Sequence, residues 1–420
     1  MVKLANFHIQ EGSVFGGILL ISGSCIGAGM LAIPVITGIA GFVPSILLFL
    51  LAWLFMTATG FLLLEANLAV GYDCSLISIA ERTLGKVGKI LCWVLFLFLF
   101  YSLSIAYIAA SGSILHGLTI DFFNLNLPVW GGGCLLTIIF TLVLYSGARR
   151  VDYFNRFLMI GLILTYLILI LFGSFYIHPD YLSLKQWKYA LPSLPVLIIS
   201  FGFHNMIPSL AIYMKGDRKR LRITVLVGSA IPLIIYLLWE TVMLGIVPLE
   251  GRTGWLHALN QGEAATQTLR AVVGISWINY IAQGFALFAI ITSFLAQSLS
   301  LVDFLADGLK IPKVGLGRCA LVLLTLIPPF ILAYAYPGIF IKALNFGGGF
   351  SAVILFGFLP VIMVWVLRYR WRKNMVHILP LGRLLLGLIM LIGMSIFFIQ
   401  LFTQMTSSSV SDSIEVYDDH

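Results

Sequence analysis

Charged residues are scarce in this 420-residue chain, since Asp, Glu, Lys and Arg together make up 10% of it and hydrophobic residues 60%. A soluble domain carries about 25% charged residues, which keep its surface hydrated. Apolar runs recur from Val14 almost to Thr403, and no soluble domain fits between them. The scarcity of charge excludes a soluble protein, and residues 1–420 are predicted to form one membrane-embedded all-α domain.

Cysteine is also rare: the chain has five, with no CxxC pair and no Cys/His cluster. An odd number spread over apolar segments does not suit a disulfide framework, and a zinc site needs closely spaced ligands. We therefore expect no disulfides, no metal site and no cofactor. The first apolar segment lacks the basic leader of a signal peptide, so it is expected to be a retained helix.

Motifs of membrane enzymes and channels are missing as well. The sequence contains no HExxH and no GxxxxGK[ST], and it lacks paired intramembrane aspartates. Repeated filter segments or rings of charge, which give channels their selectivity, are not visible. A membrane-embedded enzyme and a channel are the rival classes, and the sequence favours a carrier over both.

What the sequence does contain is eleven apolar segments, each near the roughly 20 residues that cross a bilayer. They are 14–37, 42–70, 89–117, 131–147, 153–177, 191–214, 223–247, 274–305, 318–335, 348–367 and 384–403. Twenty of the 25 Lys and Arg residues lie in every second loop. The positive-inside rule then predicts a cytoplasmic N-terminus, and the odd number of spans puts the tail, 404–420, outside. Because topology explains the net charge of +8, no nucleic-acid partner is expected.

The first and sixth segments are interrupted in the same way. They read GSCIGAGMLAIP from Gly23 to Pro34 and SFGFHNMIPS from Ser200 to Ser209. Gly and Pro weaken a helix and free backbone groups, which cost several kcal/mol in lipid unless they line a cavity or bind a ligand. The Gly23-xxx-Gly27 spacing also occurs in ordinary helix packing. Paired breaks five helices apart are typical of an inverted-repeat transporter site.

These two motifs resemble those of the hydroxy and aromatic amino acid permease family, and most closely its tyrosine-specific members. Supporting matches are LLLE at 62–65, DYFNRFL at 152–158, GSAIPL at 228–233, TSFL at 292–295 and DFLAD at 303–307. The resemblance implies a leucine-transporter-like five-plus-five inverted repeat with discontinuous helices 1 and 6. Repeat one would cover about 12–177 and repeat two about 191–370, with an eleventh helix at 384–403.

The same resemblance implies a multi-pass protein of the bacterial inner membrane that imports an aromatic amino acid, tyrosine first, by proton symport. The alternatives are a carrier of tryptophan or of a small hydroxy amino acid, and sodium in place of the proton. The expected partners are the amino acid and the lipid bilayer, and no obligate protein partner is evident.

The predicted substrate site consists of groups that the two breaks expose: Ser24, Gly27, Ala28, Gly29, Met30, Phe201, Gly202, Phe203, His204 and Asn205. The N–H groups of Ala28, Gly29 and Met30 would meet a carboxylate at the positive end of a half-helix. Freed carbonyls near Ser24, Phe201 and Gly202 would hold the ammonium group. His204 is open to three roles: bonding the substrate hydroxyl, carrying a proton, or stabilising the broken helix.

The ion-coupling candidates are the polar groups predicted inside the membrane: Glu65, Glu240, Thr292 and Ser293. Intramembrane carboxylates are costly and usually functional. Glu65 ranks first because it belongs to the LLLE match, and Glu240 follows. In leucine-transporter-like folds a Thr/Ser pair on helix eight contributes to a sodium site. The other interpretation of this pair is that its hydroxyls bond their own helix backbone.

Overall fold

The computed structural model of the chain describes residues 12–27, 29–146, 148–274, 276–336, 338–371, 377–380 and 382–418. The long and short α-helices are numbered in chain order. They are α1 Val14–Cys25, α2 Gly29–Thr37, α3 Phe42–Val70, α4 Leu76–Phe123, α5 Val129–Ser146, α6 Ala148–Gly173, α7 Pro179–Leu182, α8 Leu194–Ser200, α9 Met206–Tyr213, α10 Arg218–Ile246, α11 Trp255–Gln261, α12 Ala265–Val273, α13 Ser276–Leu309, α14 Gly315–Ala335, α15 Ile339–Phe346, α16 Leu359–Trp365 and α17 Gly382–Asp418. Wider π-helical turns, Gly347–Phe358 and Val366–Arg370, make α15 and α16 one continuous Ile339–Arg370 helix.

Across the described ranges, nine helices are long and apolar enough to cross a membrane. They are α3, α4, α5, α6, α10, α13, α14, the Ile339–Arg370 helix and α17. The pair α1 and α2, bent by 54°, makes a tenth if it counts as one span. The predicted sixth span, 191–214, consists of α8 and α9, which are 7 and 8 residues long. The number eleven therefore stays a prediction.

The broken segments lie at the centre of the bundle. α1 packs on α10, α2 packs on α8 and α11, and α8 packs on α3 and on the Gly347–Phe358 turns. Gly228 of α10 permits a close approach to α1, because a Cβ atom there would lie 2.8 Å from the Cβ of Ile21. Small residues at such contacts let membrane helices pack closely.

Two segments differ from the sequence-based boundaries. α4 begins at Leu76 and not near residue 89, because Ser75 caps it and Gly85, with φ of 75°, accommodates a kink within it. The connection between the predicted spans 223–247 and 274–305 contains two further helices, α11 and α12. Trp255 and Leu269 in these helices are buried, and both helices pack against α2.

Candidate functional site: a cavity at two broken helices

The first break separates α1, which ends at Cys25, from α2, which begins at Gly29. Ile26 is extended (φ −72°, ψ 106°), so the helix cannot continue through it. The Met30 N–H donates to the Gly27 carbonyl at 3.0 Å, which gives one of the predicted carboxylate donors a partner within the chain. Ala28 lies outside the described residues.

The second break separates α8, which ends at Ser200, from α9, which begins at Met206. The chain turns tightly here, since the Gly202 N–H donates to the Ile199 carbonyl at 3.0 Å. Both breaks fall inside the motifs that the sequence identified. They lie next to each other, because a Cβ atom at Gly29 would be 2.7 Å from the Ser200 hydroxyl.

Helix α10 connects the two breaks through its buried polar groups. The Tyr236 hydroxyl lies 2.6 Å from the Cys25 carbonyl and 2.9 Å from the Ser200 carbonyl. Cys25 is the last residue of α1, and Ser200 is the last residue of α8. One turn on from Tyr236, Trp239 Nε1 donates to the Met30 carbonyl at 3.0 Å. Tyr236 thus reaches two carbonyls that helix ends leave free, and Trp239 reaches one whose usual partner four residues on is Pro34, which has no N–H. Nothing in the sequence singles out Tyr236 or Trp239, which resemble any other buried aromatic residue.

A cavity of about 160 Å³, the central cavity, lies at the two helix breaks and extends between α4, α6 and α13. Five predicted substrate residues line it: Ser24, Gly27, Gly29, Gly202 and Asn205. A substrate in this cavity would touch the exposed ends of both broken helices. These ends carry opposite dipoles, since α1 and α8 present carbonyls and α2 and α9 present N–H groups.

Most of the aromatic and amide side chains of the cavity wall are not indicated by the sequence. The aromatic residues Phe96, Phe100, Tyr107 and Phe356 line it, as do two amides, Asn155 and Gln297. Such a wall suits a ligand with an apolar body and a few polar groups. Of these six residues, only Asn155 belongs to a family-like motif, DYFNRFL at 152–158.

Four further predicted substrate residues, Met30, Phe201, Phe203 and His204, are buried and do not line this cavity. Phe201 packs edge-on against Phe49 and Tyr236, with ring centroids 6.5 and 5.2 Å away. The His204 ring stacks between Phe203 and Phe356, and its Nε2 lies 2.9 Å from the Thr59 hydroxyl. Of the roles considered for His204, its contacts fit best the one that stabilises the broken helix.

Residues 10–400 match the sequence model of the tryptophan/tyrosine permease family. The chain belongs to this family. It is 34% identical over 390 residues to tyrosine-specific transport system 1 of Haemophilus influenzae, with 91% of this chain and 94% of the relative covered. It is 32% identical over 370 residues to a tryptophan-specific transport protein of Pseudomonas aeruginosa, with 86% and 87% covered. With its apolar helices, this membership makes the chain a multi-pass membrane protein of an aromatic amino acid permease family.

The Thr/Ser pair of this permease lies on α13 beside the first break. Thr292 and Ser293 both line the cavity, and a side chain at Gly27 would overlap the Ser293 hydroxyl. The Thr292 hydroxyl donates to the Phe288 carbonyl of its own helix at 2.8 Å. This bond uses the hydroxyl hydrogen and leaves the two lone pairs of the Thr292 oxygen free of it. A bond to the backbone is therefore compatible with binding of a cation by the same oxygen.

Glu65 is held in a buried ion pair, and neither it nor Arg368 lines this cavity. Arg368 Nε and Nη2 each donate to one of its carboxylate oxygens at 2.6 Å, and the Ile378 N–H donates at 2.8 Å. The side chains of Glu65 and Arg368 are 1% and 2% exposed. Three charge-assisted or backbone donors leave this carboxylate well satisfied.

Glu240 is fully buried on α10, where its Oε1 contacts the hydroxyl of Thr37 at the end of α2. Among the described residues, its Oε2 has no hydrogen-bond partner. The Thr37 hydroxyl also lies 2.7 Å from the Ile33 carbonyl, to which it can donate its one hydrogen. This contact connects α10 to α2, the second half of the first broken helix.

Proposed function

We propose that this permease imports tyrosine together with a proton, by alternating access to the central cavity. The observation that carries the proposal is the cavity itself, which joins the ends of two broken helices to an aromatic wall. Broken helices at matching positions are the usual binding site of inverted-repeat transporters. Relatives named as tyrosine-specific and tryptophan-specific transport proteins support an aromatic substrate.

In this proposal, the two ends of the amino acid meet opposite helix dipoles. The carboxylate lies at the N-terminal end of α2, near Gly29, and the ammonium group lies at the carbonyls that end α1, near Ser24. The side chain points between Phe96, Phe100 and Tyr107. Gly27 has no side chain, which keeps the space between α1 and α13 open to the substrate.

The proposed architecture is the five-plus-five inverted repeat, with α1/α2 and α8/α9 as its discontinuous helices and α17 as an eleventh span. The protein would lie in the bacterial inner membrane with its N-terminus in the cytoplasm and its C-terminus outside. The support is the uneven distribution of Lys and Arg between alternate loops. The position of the two breaks, at the start of each half, supports the repeat.

We propose Glu240 as the proton-binding group. If Thr37 donates its hydrogen to Ile33, the contact between Thr37 and Glu240 needs a hydrogen from Glu240, which the protonated acid supplies. Loss of that proton would turn the Thr37 hydroxyl away from Ile33 towards the carboxylate. Binding and release of a proton at Glu240 would thereby act on α2, which borders the substrate cavity.

Sodium coupling is the second candidate, and the hydroxyls beside Gly27 favour it. In transporters with broken helices, sodium is coordinated by unwound carbonyls together with hydroxyls of the eighth membrane span. The eighth predicted span of this chain, 274–305, corresponds to α13. The position of Thr292 and Ser293 on α13, lining the cavity beside Gly27, supports this candidate. The proton ranks first because Glu240 is buried with one oxygen unpartnered among the described residues. A buried carboxylate is costly in its charged form, and binding of a proton removes that cost.

Uptake of labelled tyrosine into proteoliposomes, with the pH gradient and the sodium gradient imposed separately, tests the proposal. We expect accumulation when the outside is acidic, in the absence of sodium, and collapse of accumulation with a protonophore. Exchange of labelled against unlabelled tyrosine marks a carrier, and competition by tryptophan and serine establishes the substrate preference. Accumulation driven by sodium alone would overturn the proton assignment.

A further inference from the structure

Three residues that line the central cavity each carry a buried amide oxygen with no hydrogen-bond partner within the described part of the chain. The oxygens are Asn155 Oδ1, Asn205 Oδ1 and Gln297 Oε1. A buried acceptor without a partner costs about 1–3 kcal/mol. Three such acceptors around one cavity indicate a ligand that brings hydrogen-bond donors.

Gln297 differs from the two asparagines because contacts with α4 fix its amide orientation. Its Nε2 donates to the Phe100 carbonyl at 2.6 Å and to the Ser104 hydroxyl at 2.9 Å. Both amide hydrogens are thereby used. The flipped orientation would place Oε1 against the Phe100 carbonyl oxygen, which would repel it. The unpartnered Oε1 of this cavity-lining residue is therefore fixed in place as an acceptor, and only as an acceptor.

The position of Gln297 along α13 identifies the part of the substrate that it meets. Ser293 of this helix lies at Gly27, where the first helix breaks. Gln297 lies one turn further, a rise of about 5.4–6 Å. Phe100, whose carbonyl holds the Gln297 amide, also lines the aromatic part of the cavity. Gln297 thus lies at the ring end of a substrate whose charged groups occupy the breaks.

We propose that Gln297 Oε1 accepts the polar hydrogen of the substrate ring, and that this bond selects tyrosine and tryptophan against phenylalanine. The tyrosine ring carries an O–H donor and the tryptophan ring an N–H donor, whereas phenylalanine has neither. A site built to bond a substrate O–H or N–H rejects the analogue without it, because the buried acceptor stays unpaired. This inference rests on the proposed function and deepens it.

Binding of labelled tyrosine to the purified protein in lipid nanodiscs, with competition by tryptophan and phenylalanine, tests the inference. We expect the wild type to prefer tyrosine over phenylalanine by about tenfold or more. In Gln297→Met, a substitution of similar length and shape without the acceptor, that preference falls about tenfold. The change comes from weaker tyrosine and tryptophan binding, while phenylalanine binding is retained or improved.

Two further variants sharpen the test. Gln283→Met changes the same residue type on the same helix, but Gln283 lines a separate cavity with Gly117 and Arg270, so the tyrosine-to-phenylalanine ratio should not change. Ser104→Ala removes one of the two bonds that orient the Gln297 amide, so an intermediate loss of preference is expected.

The outcomes separate this inference from the proposed function. If Gln297→Met keeps the wild-type preference, or loses binding of all three amino acids equally, the proposed role of Gln297 is wrong. The proposed function would still stand in that case, provided that the wild type binds tyrosine. Failure of the wild type to bind any aromatic amino acid defeats the proposed function itself.

Discussion

Two glutamates are buried among the helices, and they differ in the donors that reach them. Glu65 receives two bonds from the Arg368 guanidinium and one from the Ile378 N–H. Glu240 contacts one hydroxyl, that of Thr37, and its second oxygen has no partner among the described residues. Burial is complete or nearly so at both positions.

This difference separates a structural carboxylate from one suited to exchange a proton. A buried charge is tolerated when a counter-charge and hydrogen bonds surround it, as they do at Glu65. A buried carboxyl without a counter-charge is stable in the neutral form. The sequence ranked Glu65 first for ion coupling, and the ion pair with Arg368 favours Glu240 instead.

The largest effect is expected at the ion pair, where Glu65→Gln removes the counter-charge of Arg368. An uncompensated buried guanidinium costs about 3–5 kcal/mol of stability. We expect a sharp fall in the thermal midpoint of the purified protein and in its yield from membranes. The double change Glu65→Leu with Arg368→Met is the matched control, because it removes both charges and should recover most of the stability. A single variant as stable as the double one would contradict this role.

A smaller effect on stability, but a specific effect on coupling, is expected for Glu240→Gln. The amide N–H₂ can donate to Thr37 as the protonated acid does, so stability should stay within about 1 kcal/mol of wild type. Glutamine cannot release a proton, and therefore tyrosine accumulation driven by a pH gradient should be lost while tyrosine counterflow continues. Accumulation by this variant at the wild-type level would remove Glu240 from the coupling step.

The broken helices were predictable because helix breaking is a local property. Glycine and proline weaken a helix locally, and the Gly27–Gly29 and Gly202 positions are each followed by a proline. The breaks lie inside the motifs Gly23–Pro34 and Ser200–Ser209, and five of the ten predicted substrate residues line the cavity.

The partners of the polar groups were not predictable, because they are far apart in the chain. Glu65 and Arg368 are 303 residues apart, and Tyr236 is 211 residues from the Cys25 carbonyl that it binds. The Gln297 amide is fixed by Phe100 and Ser104, which lie 197 and 193 positions earlier in the chain. A single sequence indicates that a carboxylate or an amide is buried, but only the packing of helices determines which donors reach it.

The smallest expected effect concerns Thr37, and it distinguishes a neutral Glu240 from a charged one. If Glu240 is protonated, it donates to Thr37 much as the amide of the Glu240→Gln variant would, so Thr37→Val should cost about 1 kcal/mol in both the wild type and that variant. A charged Glu240 would instead accept from Thr37, and loss of that bond would cost about 1.5–3 kcal/mol in the wild type alone. Thermal unfolding of the four proteins in a double-mutant cycle measures the coupling between the two residues. A coupling energy near zero supports the neutral, proton-carrying form, and a large one would assign Glu240 to a permanent charge like that of Glu65.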